Sequence, residues 1–128
     1  MKRMRFLKVL LVSLLILLPA AVLAQGLSPI VSTDDLAKIV KDPNVIVIDI
    51  RKVEDYKAGH IPGAIGVFYN NWAPGMGGLK NEMPADDDLM DLLTDNGIQP
   101  DSTVVVYGTT GTPPDRVDVT RVAWALKY

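Results

Sequence analysis

Apolar residues follow two different periods along this chain, one typical of strands and one typical of helices. Val45–Ile50 is apolar on both faces, as expected for a strand buried inside a parallel sheet with helices on both sides. Ala64–Tyr69 and Thr103–Tyr107 predict a second and a third strand. Helical spacing separates the three runs, so the pattern predicts an α/β domain with a mainly parallel central sheet flanked by helices.

Two helices are predicted in the first half of this pattern. Ser32 and Asp35 have the spacing of a capping box, and the helix that they start stops before Pro43. Lys52–Ala58 predicts a short helix, and Gly59 is placed to act as its left-handed cap.

Two more helices are predicted in the second half, after a turn at His60–Gly63 and a long irregular loop over Asn70–Ala85. Asp86–Asp88 favours a helix start, and Gly97 ends that helix. Its predicted buried face consists of Leu89, Met90, Leu92 and Leu93. The last helix carries the apolar residues Val117, Val122, Ala123, Trp124 and Leu126.

The start of the chain has the pattern of a secretory signal. Four basic residues precede the apolar run Val9–Leu18, Pro19 breaks the run, and Val22–Ala24 offers small or apolar residues for cleavage. A membrane anchor is the alternative, but Val9–Ala24 has 16 residues, fewer than the roughly 20 that span a bilayer. The sequence therefore predicts a signal peptide over 1–24 and a mature domain over 25–128, exported to the periplasm or secreted.

Charge and cysteine content exclude several classes of function. Removing the four basic residues of the signal from a total of 13 leaves nine against 15 acidic residues, a formal charge of −6. This charge argues against nucleic acid or an anionic membrane surface as a partner of the mature protein. The chain has no cysteine and one histidine, so zinc sites, thiol redox chemistry and a cysteine nucleophile are excluded for this polypeptide alone. We expect neither a metal nor a cofactor.

The stretch VVVYGTTGTPPDR, residues 104–116, has the form of an active-site turn. A strand ends there in a glycine-rich loop that leads into a helix, so backbone N–H groups could surround an anion. The position at which a nucleophile would be most exposed holds Gly108.

Two stretches resemble rhodanese-like domains, the superfamily of thiosulfate and mercaptopyruvate sulfurtransferases. The first, Val45–Val67, reads VIVIDIRKVEDYKAGHIPGAIGV, an apolar strand ending in Asp-x-Arg followed by Gly-His-Ile-Pro-Gly-Ala. The second, Ser102–Tyr128, is similar to the family's central strand, active-site loop and following helix, with an Arg-x-Ala-Trp-x-Leu ending typical of two-domain members. Together the resemblance covers residues 27–128 and implies a three-layer fold.

This resemblance implies a site for sulfur transfer. In the family, a cysteine at the end of the central strand takes a sulfane sulfur from thiosulfate or mercaptopyruvate and passes it to cyanide or a thiol. Gly108 stands at the position of that cysteine. The matching loop contains Gly108, Thr109, Thr110, Gly111, Thr112 and Arg116. It departs from the family pattern because Pro113 and Pro114 remove two N–H donors and because Arg116 lies eight positions after Gly108.

The missing cysteine leaves two functional hypotheses. In tandem members of the family, the first domain has lost its cysteine, and the ending of this chain resembles such a domain without the family's next strand and closing helix. We therefore expect an incomplete amino-terminal domain of a longer sulfurtransferase, with a second rhodanese-like domain as its partner. The alternative is a catalytically inactive binding or regulatory module, whose loop recognises a small sulfur-containing anion or a partner protein.

The residues of the family motif have structural interpretations as well. Those residues are Asp49, Arg51, His60, Pro62 and Gly63. We interpret the first two as a structural pair, with orientation of a substrate anion as the alternative. His60 is interpreted as a structural hydrogen-bond partner and not as a general base.

Three further features that suggest a site are interpreted in structural terms. Trp124 is expected in the core, while Trp72 could lie in the core or line a cleft. Asp86–Asp88 is a solvated helix start and not a metal site, because adjacent carboxylates on one turn point in different directions.

Overall fold

The computed structural model describes residues 29–127, so the predicted signal peptide over 1–24 lies outside the described residues. From Ser32 onward the chain forms one compact unit, to which the following description applies. None of the helices within residues 29–127 has the length and apolar character that a membrane span requires.

The unit is built on a three-stranded parallel sheet. Its strands are β1 (Val45–Asp49), β2 (Ile65–Gly66) and β3 (Thr103–Tyr107), in the order β2-β1-β3. Both pairings of β1 are parallel, and its register with β3 runs from Val45 opposite Thr103 to Asp49 opposite Tyr107. The central position of β1 explains its continuous apolar pattern, and the prediction of a parallel α/β sheet is confirmed.

Five helices lie in the described part of the chain. They are α1 (Thr33–Ile39), α2 (Val53–Ala58), α3 (Tyr69–Trp72), α4 (Asp86–Asp95) and α5 (Pro113–Ala125). The capping interaction predicted for α1 is present, because Ser32 Oγ accepts the backbone N–H of Asp35 at 3.1 Å. Pro113 and Pro114 occupy the first turn of α5, where a missing N–H costs no helical hydrogen bond.

The core joins β1 to helices that pack on the sheet. Ile48, Trp72 and Val122 are fully buried at its centre. The predicted apolar face of α4 contributes Leu89, Leu92 and Leu93 to this core. The loop between α3 and α4 is tied to α5, because the Arg121 guanidinium donates to the backbone carbonyl of Asn81.

The predicted strand over Ala64–Tyr69 is wrong in its extent. Only Ile65–Gly66 is β-structure, and Tyr69 already begins α3. The chain turns because Trp72 must enter the core, where its indole N–H donates to the carbonyl of Val67 at 3.0 Å. The predicted loop over Asn70–Ala85 is shortened at its start for the same reason.

Met90 and Trp124, which the sequence predicts in the core, are exposed, and so are two other apolar residues of α5. Met90, Val117 and Trp124 are 62%, 55% and 57% exposed, and Ala123 is also exposed. The core face of α5 is set by Val122 and Ala125, so the neighbouring positions 123 and 124 turn toward solvent. Met90 is exposed for the same reason, because it comes one position after Leu89, which packs against the core.

Gly59 does not adopt the left-handed cap that the sequence predicts. Its φ is 164°, which is extended backbone. In this conformation its carbonyl accepts a hydrogen bond from Arg51 Nη2 at 2.7 Å. The side chain of Arg51, two residues after β1, therefore contacts this helix end.

Candidate functional site

The carboxyl ends of β1 and β3 bring a buried carboxylate and a phenol together. Because the two strands are parallel and in register, Asp49 and Tyr107 end at the same edge of the sheet. The Tyr107 hydroxyl donates to Asp49 Oδ2 at 2.6 Å and accepts the backbone N–H of Ile61 at 3.2 Å. This contact joins residues far apart in the chain, so no short stretch of sequence predicts it. The signal that could have suggested it is that two predicted parallel strands end at Asp49 and Tyr107.

Arg51 completes the pairing of this carboxylate. Its Nη2 lies 2.7 Å from Asp49 Oδ2, and its Nε lies 3.0 and 3.1 Å from the two carboxylate oxygens. The backbone N–H of Arg51 also donates to Asp49 Oδ1 at 2.9 Å. Asp49 is 0% exposed, and no buried side-chain oxygen or nitrogen in the described part of the chain lacks a partner. The donors from Arg51 and Tyr107 therefore occupy both oxygens of the Asp49 carboxylate.

The electrostatics of this cluster fix its charges. Burial by itself raises the pKa of Asp49, but hydrogen bonds from Arg51 and Tyr107 outweigh it and hold that pKa below its usual value. The hydrogen bond to Asp49 raises the pKa of Arg51. Burial, together with the hydrogen bond to Asp49, raises the pKa of Tyr107. Near neutral pH, these three groups hold an ion pair and a neutral phenol.

His60 is exposed and lies just after α2. Its ring stacks on Tyr56 at 3.9 Å between centroids, and its Nδ1 lies 2.9 Å from the Tyr56 carbonyl oxygen. Pro62 and Gly63 form the turn that follows, with Gly63 at a φ of 85°. The Tyr56 hydroxyl in turn donates to the carbonyl of Ala64 at 2.9 Å. These contacts hold the turn against α2.

The loop after β3 brings its polar groups together at the start of α5. The backbone N–H of Thr112 donates to Asp115 Oδ2 at 2.9 Å, and Thr112 Oγ1 accepts the N–H of Asp115 at 3.4 Å. Arg116 Nε donates to the carbonyl of Thr110 at 3.0 Å. Hydrogen bonds from Thr112 hold the pKa of Asp115 below its usual value. A carboxylate of the chain itself therefore occupies the helix N-terminus that the sequence suggests for a bound anion.

Sequence reasoning missed Asp115, although its signal was present. Thr112 and Asp115 have the threonine-x-x-acid spacing of a capping box, the same spacing that correctly predicts the start of α1. Pro113 and Pro114 stand between these two residues, and neither proline has a backbone N–H to donate. Thr109, Thr110 and Gly111 are exposed within the loop, while Gly108 is partly buried beside the end of β1.

Asp86–Asp88, the predicted helix start, does not form a metal site. Asp86–Asp88 makes the exposed first turn of α4. Within residues 29–127, no group of three His, Asp or Glu side chains has the arrangement needed to hold a metal ion. Trp72, which could have lined a cleft, is instead fully buried in the core.

Comparison with known proteins adds two findings. A family model described as a rhodanese-like domain matches residues 32–127. The chain is also similar to a protein named thiosulfate sulfurtransferase from Pseudomonas aeruginosa strain PAO1, with 33% identity over 82 residues. That match covers 64% of this chain and 30% of the relative. The chain thus spans less than a third of the length of the curated relative that it matches.

Proposed function

The chain belongs to the rhodanese-like domain family, and from this premise we propose that it is the non-catalytic amino-terminal domain of an exported sulfurtransferase of the thiosulfate type. Gly108 carries the proposal, because it follows β3 where the family's sulfur-bearing cysteine would stand. The chain has no cysteine elsewhere. A thiolate is the group on which a sulfane sulfur is carried, so this domain supplies structure and a partner supplies the thiol.

A second rhodanese-like domain is the partner in this proposal. The match to the thiosulfate sulfurtransferase covers only 30% of that protein, so a relative of this kind has ample chain for a second domain. In the proposed arrangement, the present domain docks on the cysteine-bearing one and helps to form the wall of its cleft.

Sequencing the gene beyond codon 128 tests this arrangement. We expect an open reading frame that continues into a second rhodanese-like repeat with a cysteine at the end of its central strand. A stop codon directly after codon 128 would contradict the tandem arrangement and favour an inactive binding or regulatory module.

Catalytic inactivity is tested separately with the full chain. We expect no transfer of sulfur from thiosulfate to cyanide above the rate of a buffer blank, because no thiol is available to carry the sulfur. Measurable turnover that survives repeated purification would show that the chain uses another nucleophile.

Export is the remaining part of the proposal, and it rests on the pattern of residues 1–24. We expect the expressed protein to appear in the periplasmic fraction or the medium with its amino terminus at Gln25. Intact-mass measurement of the fractionated protein checks the cleavage site. A chain that keeps Met1 and stays with the cytoplasm would contradict it.

A further inference from the structure

Gly108 lies where three parts of the fold meet. It follows β3, it lies beside Ile50 after β1, and it faces Val119 of α5. The backbone N–H of Ile50 donates to the carbonyl of Tyr107 at 3.1 Å, which holds the two strand ends side by side. A Cβ atom at position 108 would lie 2.9 Å from Val119 Cγ2 and 3.0 Å from Ile50 Cγ1. Even one methyl group is therefore too large for the space.

A left-handed backbone is not the reason for glycine here. The glycines in the left-handed region of φ in the described part of the chain are Gly63, Gly77, Gly78 and Gly97. Gly108 is not among them. The requirement for glycine comes from the space around it.

The neighbouring side chains cannot easily move away. Val119 is β-branched, and such a residue in a helix has one strongly preferred χ1 rotamer. Ile50 is only 5% exposed and belongs to the core. A side chain at position 108 must therefore force Val119 out of its preferred rotamer, displace Ile50 or push α5 away from the sheet.

We propose that Val119 and Ile50 reserve position 108 for glycine, so that the family's sulfur site is closed here by packing and not only by the loss of a thiol. The inference deepens the proposed function, on which its link to sulfur transfer rests. It makes Val119 the residue that determines whether position 108 can hold a nucleophile. Restoring cysteine alone would not restore a sulfur carrier.

Thermal unfolding of the full chain tests the closure. Gly108→Ala should lower the melting temperature by about 5–15 °C, because overpacking a well-packed core is destabilising. Gly111→Ala is the matched control in the same loop, since its nearest neighbour would be Asp115 Oδ2 at 3.8 Å. We expect that control to change the melting temperature by less than about 3 °C.

A double-mutant cycle then assigns the clash to Val119. Val119→Ala removes the Cγ atoms that face Gly108, so Gly108→Ala should cost much less in that background than in the parent. If Gly108→Ala alone does not fold, recovery of folded protein by Val119→Ala gives the same support. An equal loss in both backgrounds, or no loss in the parent, would overturn the proposal.

Sulfur uptake separates this inference from the proposed function. In the reaction tested, a thiolate attacks the sulfane sulfur of thiosulfate, the S–S bond of thiosulfate breaks, and sulfite leaves with the bonding electron pair. Mass spectrometry detects the extra sulfur. Gly108→Cys should melt lower than the parent, recover part of the loss with Val119→Ala, and take up no sulfur as the single variant.

A Gly108→Cys chain that melts like the parent and takes up sulfur would overturn the closure while leaving the parent inactive. A sulfur adduct on the unaltered chain would instead contradict the proposed function. The two failures are therefore distinguished by which protein carries the sulfur.

Discussion

Two corners at the carboxyl end of the sheet contrast in how they satisfy their polar groups. The motif corner consists of Asp49, Arg51 and Tyr107, together with the turn at His60–Gly63 to which Tyr107 is bonded. The loop corner is the segment Thr109–Arg116, which follows Gly108. In the motif corner, side chains from separate parts of the chain converge on one buried carboxylate. In the loop corner, a short exposed segment bonds to itself.

The difference shows which family features this chain keeps although it has no cysteine. Asp49 is bonded to Arg51 and Tyr107, and these two residues bond to the backbone of Gly59 and Ile61 in the Gly-His-Ile-Pro-Gly segment. Such residues are needed for the fold whether or not the loop is reactive. The loop corner depends on local contacts, so it could change with little effect on the rest of the sheet. In this chain, the contacts of the motif residues therefore account for part of the fold.

Removing Arg51 should give the largest effect on the free energy of unfolding. Arg51→Ala leaves a fully buried carboxylate without its counter-ion, which is expected to cost about 3–5 kcal/mol. Urea unfolding of the full chain measures it. Lys38→Ala is the matched control, because Lys38 and Asp35 form an exposed pair, with side chains 71% and 57% exposed, and such pairs contribute at most about 1 kcal/mol. Equal losses for the two variants would show that the motif corner is not a structural centre.

The pH dependence of the free energy of unfolding of Arg51→Ala gives a second test of the motif corner. The pKa of Asp49 is lowered in the parent, so this group stabilises the fold above its unfolded pKa of about 3.9 and loses that contribution as pH falls. Without Arg51, burial dominates and raises the pKa of Asp49. Protonation then relieves the buried charge, so the gap in stability between parent and Arg51→Ala should narrow from pH 7 to pH 4. A gap that is constant over this range would contradict the assigned charges.

Some of this architecture could be predicted from sequence because its signals are local. The apolar run Val45–Ile50 indicates a central parallel strand, and the spacing of Ser32 and Asp35 indicates a helix start. The prediction that Trp124 lies in the core is wrong, because its exposure depends on which face of α5 meets the sheet. The end of β2 was also missed, since the burial of Trp72 decides where the chain leaves the sheet.

The candidate site was harder to predict because its contacts are distant in the chain. The sequence places Asp49 and Arg51 at a strand end, two residues apart. The third member, Tyr107, joins them only through the register of β1 and β3. The close approach of Val119 to Gly108 likewise depends on how α5 packs. Neither contact has a signature within a short window of sequence.

Disrupting the loop corner should have a smaller effect than disrupting the motif corner. Thr112→Ala removes the N-cap of α5 and should lower the free energy of unfolding by about 0.5–2 kcal/mol, mostly through the helix end. Urea unfolding measures this loss. Thr112→Ser keeps the hydroxyl and serves as the control. A loss as large as that of Arg51→Ala would mean that the loop supports the core, against the contrast between the two corners.

Added anion should have the smallest effect on stability, because the loop corner already contains the carboxylate of Asp115. The carboxylate of Asp115 accepts the Thr112 N–H, and Arg116 Nε is bonded to the Thr110 carbonyl. Thiosulfate would have to displace the carboxylate and meet its negative charge. We therefore expect millimolar thiosulfate to shift the melting temperature of the full chain by less than about 1 °C relative to sodium chloride of equal ionic strength. A saturable upward shift that Arg116→Ala abolishes would instead support the anion-binding module.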